Sequence, residues 1–202
     1  MLKFVMRQLS LFKKAKRRGR PKKVGAGVPH VPRPELARRF PVHVTLRMKR
    51  GVWNLRTRRC FRAIGTSFYF GNNRFGQRLN HFSVQGNHLH LICEAEGAES
   101  LSRGMQGLEI RMAKALNRVM KRKGRVFADR YHSRILRTPT EVRRAVHYVL
   151  QNHTKHFGYQ GGDEYSSIAH PQLIIEPQTW LLEQAVRRPR AAAPARRAAP
   201  GP

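Results

Sequence analysis

The sequence specifies an α+β fold, an antiparallel sheet covered by helices, and three patterns carry that assignment. Residues 41–49 alternate strictly between apolar and polar, which is the period of a half-buried strand. Residues 79–84 and 88–94 read as two more strands, joined by a turn at Gly86-Asn87 into a hairpin. Leu101, Met105, Leu108, Met112, Leu116 and Val119 recur at three- and four-residue steps, the apolar stripe of a long amphipathic helix. No regular β-α-β alternation links these pieces, so the sheet is expected to be antiparallel.

In chain order, Val42, Val44, Leu46 and Met48 share one face of the first strand. Cys60, Phe61, Ile64 and Phe68 fit a helical stripe that Gly65 weakens. The long helix is expected to stop at Gly124, with its methionines as core filler. Val126-Phe127 and Arg134-Ile135-Leu136 read as two short extended pieces. Thr138-Pro139-Thr140-Glu141 is a capping box with proline at the first helical position, so another helix begins there. Its core stripe is Val142, Ala145, Val146, Val149 and His153, and Tyr148 and Asn152 are neighbours at the edge of that stripe. The expected order is β-α-β-β-α-β-α.

Composition limits the partners. The 202 residues suit one sizeable domain with tails, and 41 Lys and Arg against 11 Asp and Glu give a net charge of +30. Such an excess selects polyanions, nucleic acid before a membrane surface. No apolar run approaches the ~20 residues that span a bilayer. Met1 to Phe12 is interrupted by Lys3 and Arg7 and does not read as a secretion signal. Two cysteines, Cys60 and Cys93, are too few for a disulfide framework or a zinc knuckle, which suits a reduced cytoplasmic, nucleoid-associated protein. Residues 1–34 hold eleven of the basic residues and no acid; residues 186–202 hold five and no acid. Both stretches are expected to be disordered, because they cannot bury enough surface to offset chain entropy. The body, residues 35–185, still carries +14.

The chemistry begins at Asn87-His88-Leu89-His90-Leu91-Ile92. On a strand, His88 and His90 point the same way while Leu89, Leu91 and Cys93 point into the core. Such a pair can converge on a divalent cation, or it can simply be the polar face of a half-buried strand. A helix with Tyr148 and an amide one turn on, Asn152, would complete a phosphodiester-cleaving set. His88, His90 and the Asn152 carbonyl oxygen would ligate Mg²⁺ or Mn²⁺, with phosphate and water filling the octahedron. Asn152 can equally be an ordinary polar residue near a helix end. A tyrosine hydroxyl, with a pKa of about 10, needs such a polarised electrophile to act as nucleophile.

These stretches have a family likeness. Gln85-Gly86-Asn87-His88-Leu89-His90-Leu91-Ile92 resembles the histidine–hydrophobe–histidine signature of single-tyrosine HUH transposases. Gly124-Arg125-Val126-Phe127-Ala128-Asp129-Arg130-Tyr131-His132-Ser133 and Tyr148-Val149-Leu150-Gln151-Asn152-His153 resemble their REP-associated tyrosine transposase branch. The likeness covers roughly residues 40–157, with the motifs in the family's order. It implies a ferredoxin-like sandwich, Tyr148 as nucleophile and Asn152 as a metal-side group. It also implies single-stranded or hairpin DNA carrying palindromic repeats as substrate, a covalent 5′-phosphotyrosine intermediate, and no small-molecule cofactor or membrane partner. Tyr131 has Ile135 at i+4, Tyr69 has Asn73 there but in a helix tail remote from the strand motif, Tyr159 and Tyr165 lie in a Gly-rich stretch, and His147, His153 and His156 are read as packing or phosphate-facing. The alternative is a domesticated, non-catalytic DNA-binding protein derived from a transposase.

Arg17-Arg18-Gly19-Arg20-Pro21-Lys22-Lys23 resembles the core of an AT-hook. There Gly19 would permit close approach to a minor groove, Pro21 would keep the chain extended, and Arg18 and Arg20 would seek the negative potential of A·T tracts. A generic polybasic tail is the other reading. Arg130, Arg134 and Arg144 are candidate DNA contacts near the site, or solvated surface charge.

Overall fold

The computed structural model describes residues 34–157 and 162–186, with the side chains of residues 153–157 not described. The basic arm with Arg18, Gly19, Arg20 and Pro21, the tail, Tyr159 and the side chains of His153 and His156 therefore lie outside the described residues. Four strands form one antiparallel sheet: β1 (Val42–Arg47), β2 (Gln77–Val84), β3 (His88–Ala95) and β4 (His132–Ile135), in the order β2-β3-β1-β4. With α1 (Arg58–Gly71) after β1 and α2 (Ala98–Val119) after β3, this is the ferredoxin-like sandwich. Further helices are α3 (Pro139–Phe157) and a short α4 (Trp180–Val186). No helix among the described residues is long and apolar enough to cross a membrane.

Strand alternation sorts the sheet into two faces. Val44, Leu46, Leu89, Leu91 and Cys93 join the buried cluster that α1 and α2 close with Ile64, Phe68, Met105, Leu108 and Met112. Each large apolar side chain buried there contributes roughly 1.5–3 kcal/mol. On the other face Ile92 packs with Leu136 and the α3 residues Val142, Val146 and Val149, and with Leu181 and Leu182 of α4. Histidines 43, 88, 90 and 132 belong to this second face, beside α3.

Several boundaries differ from the sequence reading. Helix α2 ends at Val119, before Gly124. Lys121 takes a left-handed backbone (φ 49°), the Arg122 amide donates to the Asn117 carbonyl at 2.9 Å, and the Lys121 amide donates to Arg118 at 3.2 Å. That is a Schellman closure, reached without glycine. Val126-Phe127 forms no strand; Phe127 makes only an isolated bridge to Met48. Strand β2 begins at Gln77 and bulges between Leu79 and His81, and all eight of its residues are buried. An edge strand is covered in this way because the segment after Asp163 lies along it. Ser166 bridges Ser83, the Val84 amide donates to the Tyr165 carbonyl (2.8 Å), and the Ile175 amide donates to Leu79 (2.8 Å).

Two buried acids fasten that segment. Glu94 accepts from the Thr179 hydroxyl (2.7 Å) and amide (2.8 Å) and from the Gln178 amide (3.0 Å), holding a carboxylate at the start of α4. Asp163 takes a bidentate bond from Arg56, at 2.8 and 3.1 Å, with its own side chain fully buried. Asp163→Ala leaves Arg56 without that partner and should lower unfolding free energy by about 3–5 kcal/mol in chemical denaturation. A loss under 1 kcal/mol would show the segment to be held by its backbone bonds alone.

The capping box is present with its reciprocal bonds. The Glu141 amide donates to Thr138 Oγ1 (3.2 Å), while Glu141 Oε2 accepts from the amides of Thr138 (3.3 Å) and Arg137 (2.8 Å). Those amides, the Arg137 one first and then the Arg134 guanidinium, hold the Glu141 carboxyl below its ordinary value of 4.5. A depressed carboxylate stabilises the fold above its unfolded pKa, and that contribution fades as pH falls through the folded value. Thr138→Ala should cost about 1 kcal/mol at neutral pH. Glu141→Gln should flatten the decline in thermal midpoint as the pH is lowered below 5, and an unchanged decline would remove Glu141 from the account.

Candidate active site

The site is assembled by strand register. His90 on β3 pairs with Thr45 on β1, and Thr45 pairs in turn with His132 on β4, so three polar residues stand in one row across the sheet. His88 stands two residues along β3, opposite Arg47, and His43 two residues along β1, opposite Arg134. Helix α3 crosses above them. The Tyr148 ring stands edge-on to His90, with centroids 5.1 Å apart, and edge-on to His43 at 6.0 Å. His88 and His90 are 4.8 Å apart between ring centroids, closer than strand rise alone implies, because the rings turn toward each other. A cleft of about 460 Å³ opens here, lined among others by His43, His90, His132, Arg134, Arg144 and Tyr148.

Hydrogen bonds orient the rings. His88 Nδ1 is 2.8 Å from the side-chain oxygen of Asn87. His90 Nδ1 is 3.2 Å from both Thr45 Oγ1 and His43 Nε2. The Asn87 oxygen makes His88 Nδ1 the donor and leaves Nε2 as that ring's basic nitrogen, whereas Thr45 and His43 can each donate to or accept from His90 Nδ1. Burial, then the positive fields of His132 and Arg134, push the His43 pKa down to about 4, so its imidazole is neutral near pH 7.

Asn152 departs from the expectation of a place at the stripe's edge. It is 1% exposed, and neither its amide oxygen nor its amide nitrogen has a hydrogen-bond partner among the described residues. Valines 142, 146 and 149 lie on the buried face of α3, and Asn152 continues their three- and four-residue steps, which explains the burial. A buried amide costs about 1–3 kcal/mol when left unsatisfied. A hard cation accepts such an oxygen as ligand, so its chemistry fits a metal site, although Asn152 and His88 are not among the residues that line the cleft. No group of three or more His, Cys, Asp or Glu side chains that could hold a metal ion occurs among the described residues. A cation here would therefore draw on the amide, water or substrate beyond the two histidines.

The remaining candidates separate clearly. Arg134 lines the cleft and pairs with Glu141 at 3.0 Å, and Arg144 lines it one turn before Tyr148. Arg130 is exposed in the loop before β4, outside the cleft lining. Tyr131 is buried in the cluster under α1 and α2, Tyr69 is exposed on α1, and Tyr165 packs on Phe61. Of the described tyrosines, Tyr148 is the one in ring contact with His90. His147 is exposed. His43 and His132 were not singled out by sequence. The available signal for His43 was its place in the alternation of residues 41–49, on the polar face with Thr45.

The architecture defines a ferredoxin-like domain with a histidine–tyrosine cleft between sheet and helix. Neither a protein-family model nor a curated protein matches the sequence. Among solved structures, the chain is similar to a REP-associated tyrosine transposase bound to a REP hairpin. The TM-score is 0.54 at 14% identity, over 75% of this chain and 93% of that one. The likeness establishes a shared fold.

Proposed function

We propose that this chain is a metal-dependent, HUH-type tyrosine transposase that cleaves and rejoins single-stranded or hairpin DNA through a covalent 5′-phosphotyrosine. The observation that carries the reading is Tyr148 set against His90, with His88 beside it, in a cleft lined by arginines. The shared fold with a transposase bound to a hairpin supports the choice of DNA, as does the charge of +30.

In this reading Arg144 and Arg134 bind the backbone and orient one phosphodiester against Tyr148. The phenolic oxygen attacks phosphorus, the bond to the 3′ oxygen breaks, and the phenol proton leaves to solvent. The departing oxygen takes up a proton and becomes a 3′-hydroxyl. The 5′ phosphate remains on Tyr148, so attack by another 3′-hydroxyl rejoins strands without an external energy source. His88, His90 and the Asn152 oxygen would hold Mg²⁺ or Mn²⁺. When bound, the cation supplies Lewis-acid stabilisation of charge on the phosphate. Incubation with a hairpin-bearing single strand and Mn²⁺, followed by a denaturing gel, tests the proposal. A protein–DNA adduct that a chelator prevents is the expected result. Tight binding with no adduct, over a range of hairpins and metals, would leave a DNA-binding protein that has lost turnover.

A further inference from the structure

A second concavity, of about 590 Å³, lies on the other side of β2, between α1 and the segment after Asp163. Arg58, Phe61 and Arg62 line it from α1, and Glu164, Tyr165 and His170 from the segment. Its rings form one cluster. Phe61 stands edge-on to Tyr165 with centroids 5.0 Å apart and leans on His170 at 4.8 Å. All three rings are half-buried, so each keeps part of its surface accessible.

The cluster is held in place before any ligand arrives. Arg56 lies 4.3 Å over the Tyr165 ring while its guanidinium grips Asp163. The Tyr165 amide donates to Asp163 Oδ1 at 3.1 Å, and the Tyr165 carbonyl accepts from Val84 at 2.8 Å. His170 Nε2 is 2.9 Å from the Glu164 carbonyl oxygen, which fixes that ring.

Three accessible rings beside two exposed guanidiniums match a ligand with a flat face and a phosphate. An apolar peptide gives no reason for the arginines, and a phosphate alone gives none for the rings. We infer that this concavity takes one unpaired nucleotide of the bound DNA, its base on the Phe61–Tyr165–His170 cluster and its phosphate on Arg58 and Arg62. The inference rests on the reading of the chain as acting on single-stranded DNA. Glu164, the acid in the lining, accepts from an exocyclic amino group, so cytosine or adenine binds better than thymine. Phe61 and Tyr165 pack against the α1/α2 cluster, so the concavity opens on the face of the sheet opposite Tyr148 and a strand engaged at both passes around the β2 edge. Ser83 pairs with His90 on one side and bridges Ser166 on the other, which sets Ser166 two strand spacings, roughly 10 Å, from His90.

The test compares a blunt hairpin with the same hairpin carrying an unpaired cytosine flank or an unpaired thymine flank. Binding to the full chain is measured in chelator, so that no covalent step contributes. Phe61→Leu keeps apolar bulk and removes the ring; His170→Ala removes a second ring from the rim. Each should weaken binding of the cytosine-flanked hairpin about five- to a hundred-fold, the loss of one base–aromatic stack. Affinity for the blunt hairpin should not change, and each variant is compared below its own thermal midpoint because Phe61 also packs on the core. Glu164→Ala should erase the preference for cytosine over thymine. Equal losses on blunt and flanked hairpins, or no loss on either, would overturn the proposal. Adduct formation with Mn²⁺ is scored separately: a flank effect without adduct keeps this site and removes the cleavage reading, and the converse removes this site alone.

Discussion

Tyr148→Phe should abolish the covalent adduct expected with hairpin DNA and leave hairpin affinity unchanged. The substitution deletes one oxygen and keeps the ring that stands 5.1 Å from His90 and 6.0 Å from His43, so the packing that orients α3 over the sheet persists. In the proposed reading, binding rests on charge distributed over the body, not on this hydroxyl. In the proposed reaction the chemistry depends on the hydroxyl, because no bond from this residue to phosphorus can form without it. The readout is a labelled hairpin on a denaturing gel beside a mobility shift at the same protein concentration. Adduct from the Phe variant at the wild-type level would move the role elsewhere. The described alternatives are poorly placed for it: Tyr131 is in the core on the far side of the sheet, and Tyr69 is out on α1. A variant that loses both adduct and binding would point instead to a misfolded cleft.

What could be read from the sequence divides along a physical line. Patterns local to one element were legible. The alternation of residues 41–49, the His-x-His strand, the capping box and the i, i+4 pair of Tyr148 and Asn152 each depend on one element's own periodicity. Contributions that depend on register between elements were not. His43 reaches the site only because β1 sits beside β3 with Thr45 opposite His90, and His132 only because β4 pairs with the other edge of β1. The covering of β2 was invisible for the same reason. Residues 163–179 have no periodicity, and their anchors, Arg56 with Asp163 and Glu94 with Thr179, join residues 107 and 85 positions apart. The close of α2 at Lys121 was missed because a glycine three residues on offered a cheaper left-handed position that the chain uses for a later turn. Spacing sets Asn152 one turn from Tyr148 but does not give its burial, since an amide in line with valines is placed inside only when its stripe meets the sheet.

That buried amide allows the metal set to be tested by two measurements that move in opposite directions. His88→Ala and His90→Ala should each abolish adduct formation at any Mg²⁺ or Mn²⁺ concentration, because each removes one of the two proposed imidazole ligands. The two should differ in stability. His90 is 6% exposed and lies 3.2 Å from both Thr45 and His43, so its loss disturbs a packed row. His88 is half-buried beside Asn87, and its loss should be nearly neutral. Asn152→Leu inverts the relation. Without metal, the wild-type amide is buried with no described partner, so replacing it with a side chain of similar volume should leave the apo protein as stable or more stable, by about 1–3 kcal/mol. The same variant should cleave more slowly and need more metal, since two imidazoles remain. A structural asparagine would behave otherwise: Asn152→Leu would destabilise the fold and leave the metal requirement where it was. Added Mn²⁺ supplies the cross-check, raising the thermal midpoint of the wild type more than that of Asn152→Leu, because a ligand stabilises only the state that binds it. Equal midpoint shifts in the two proteins would take Asn152 out of the coordination sphere and leave the histidines to hold the cation with water and phosphate alone.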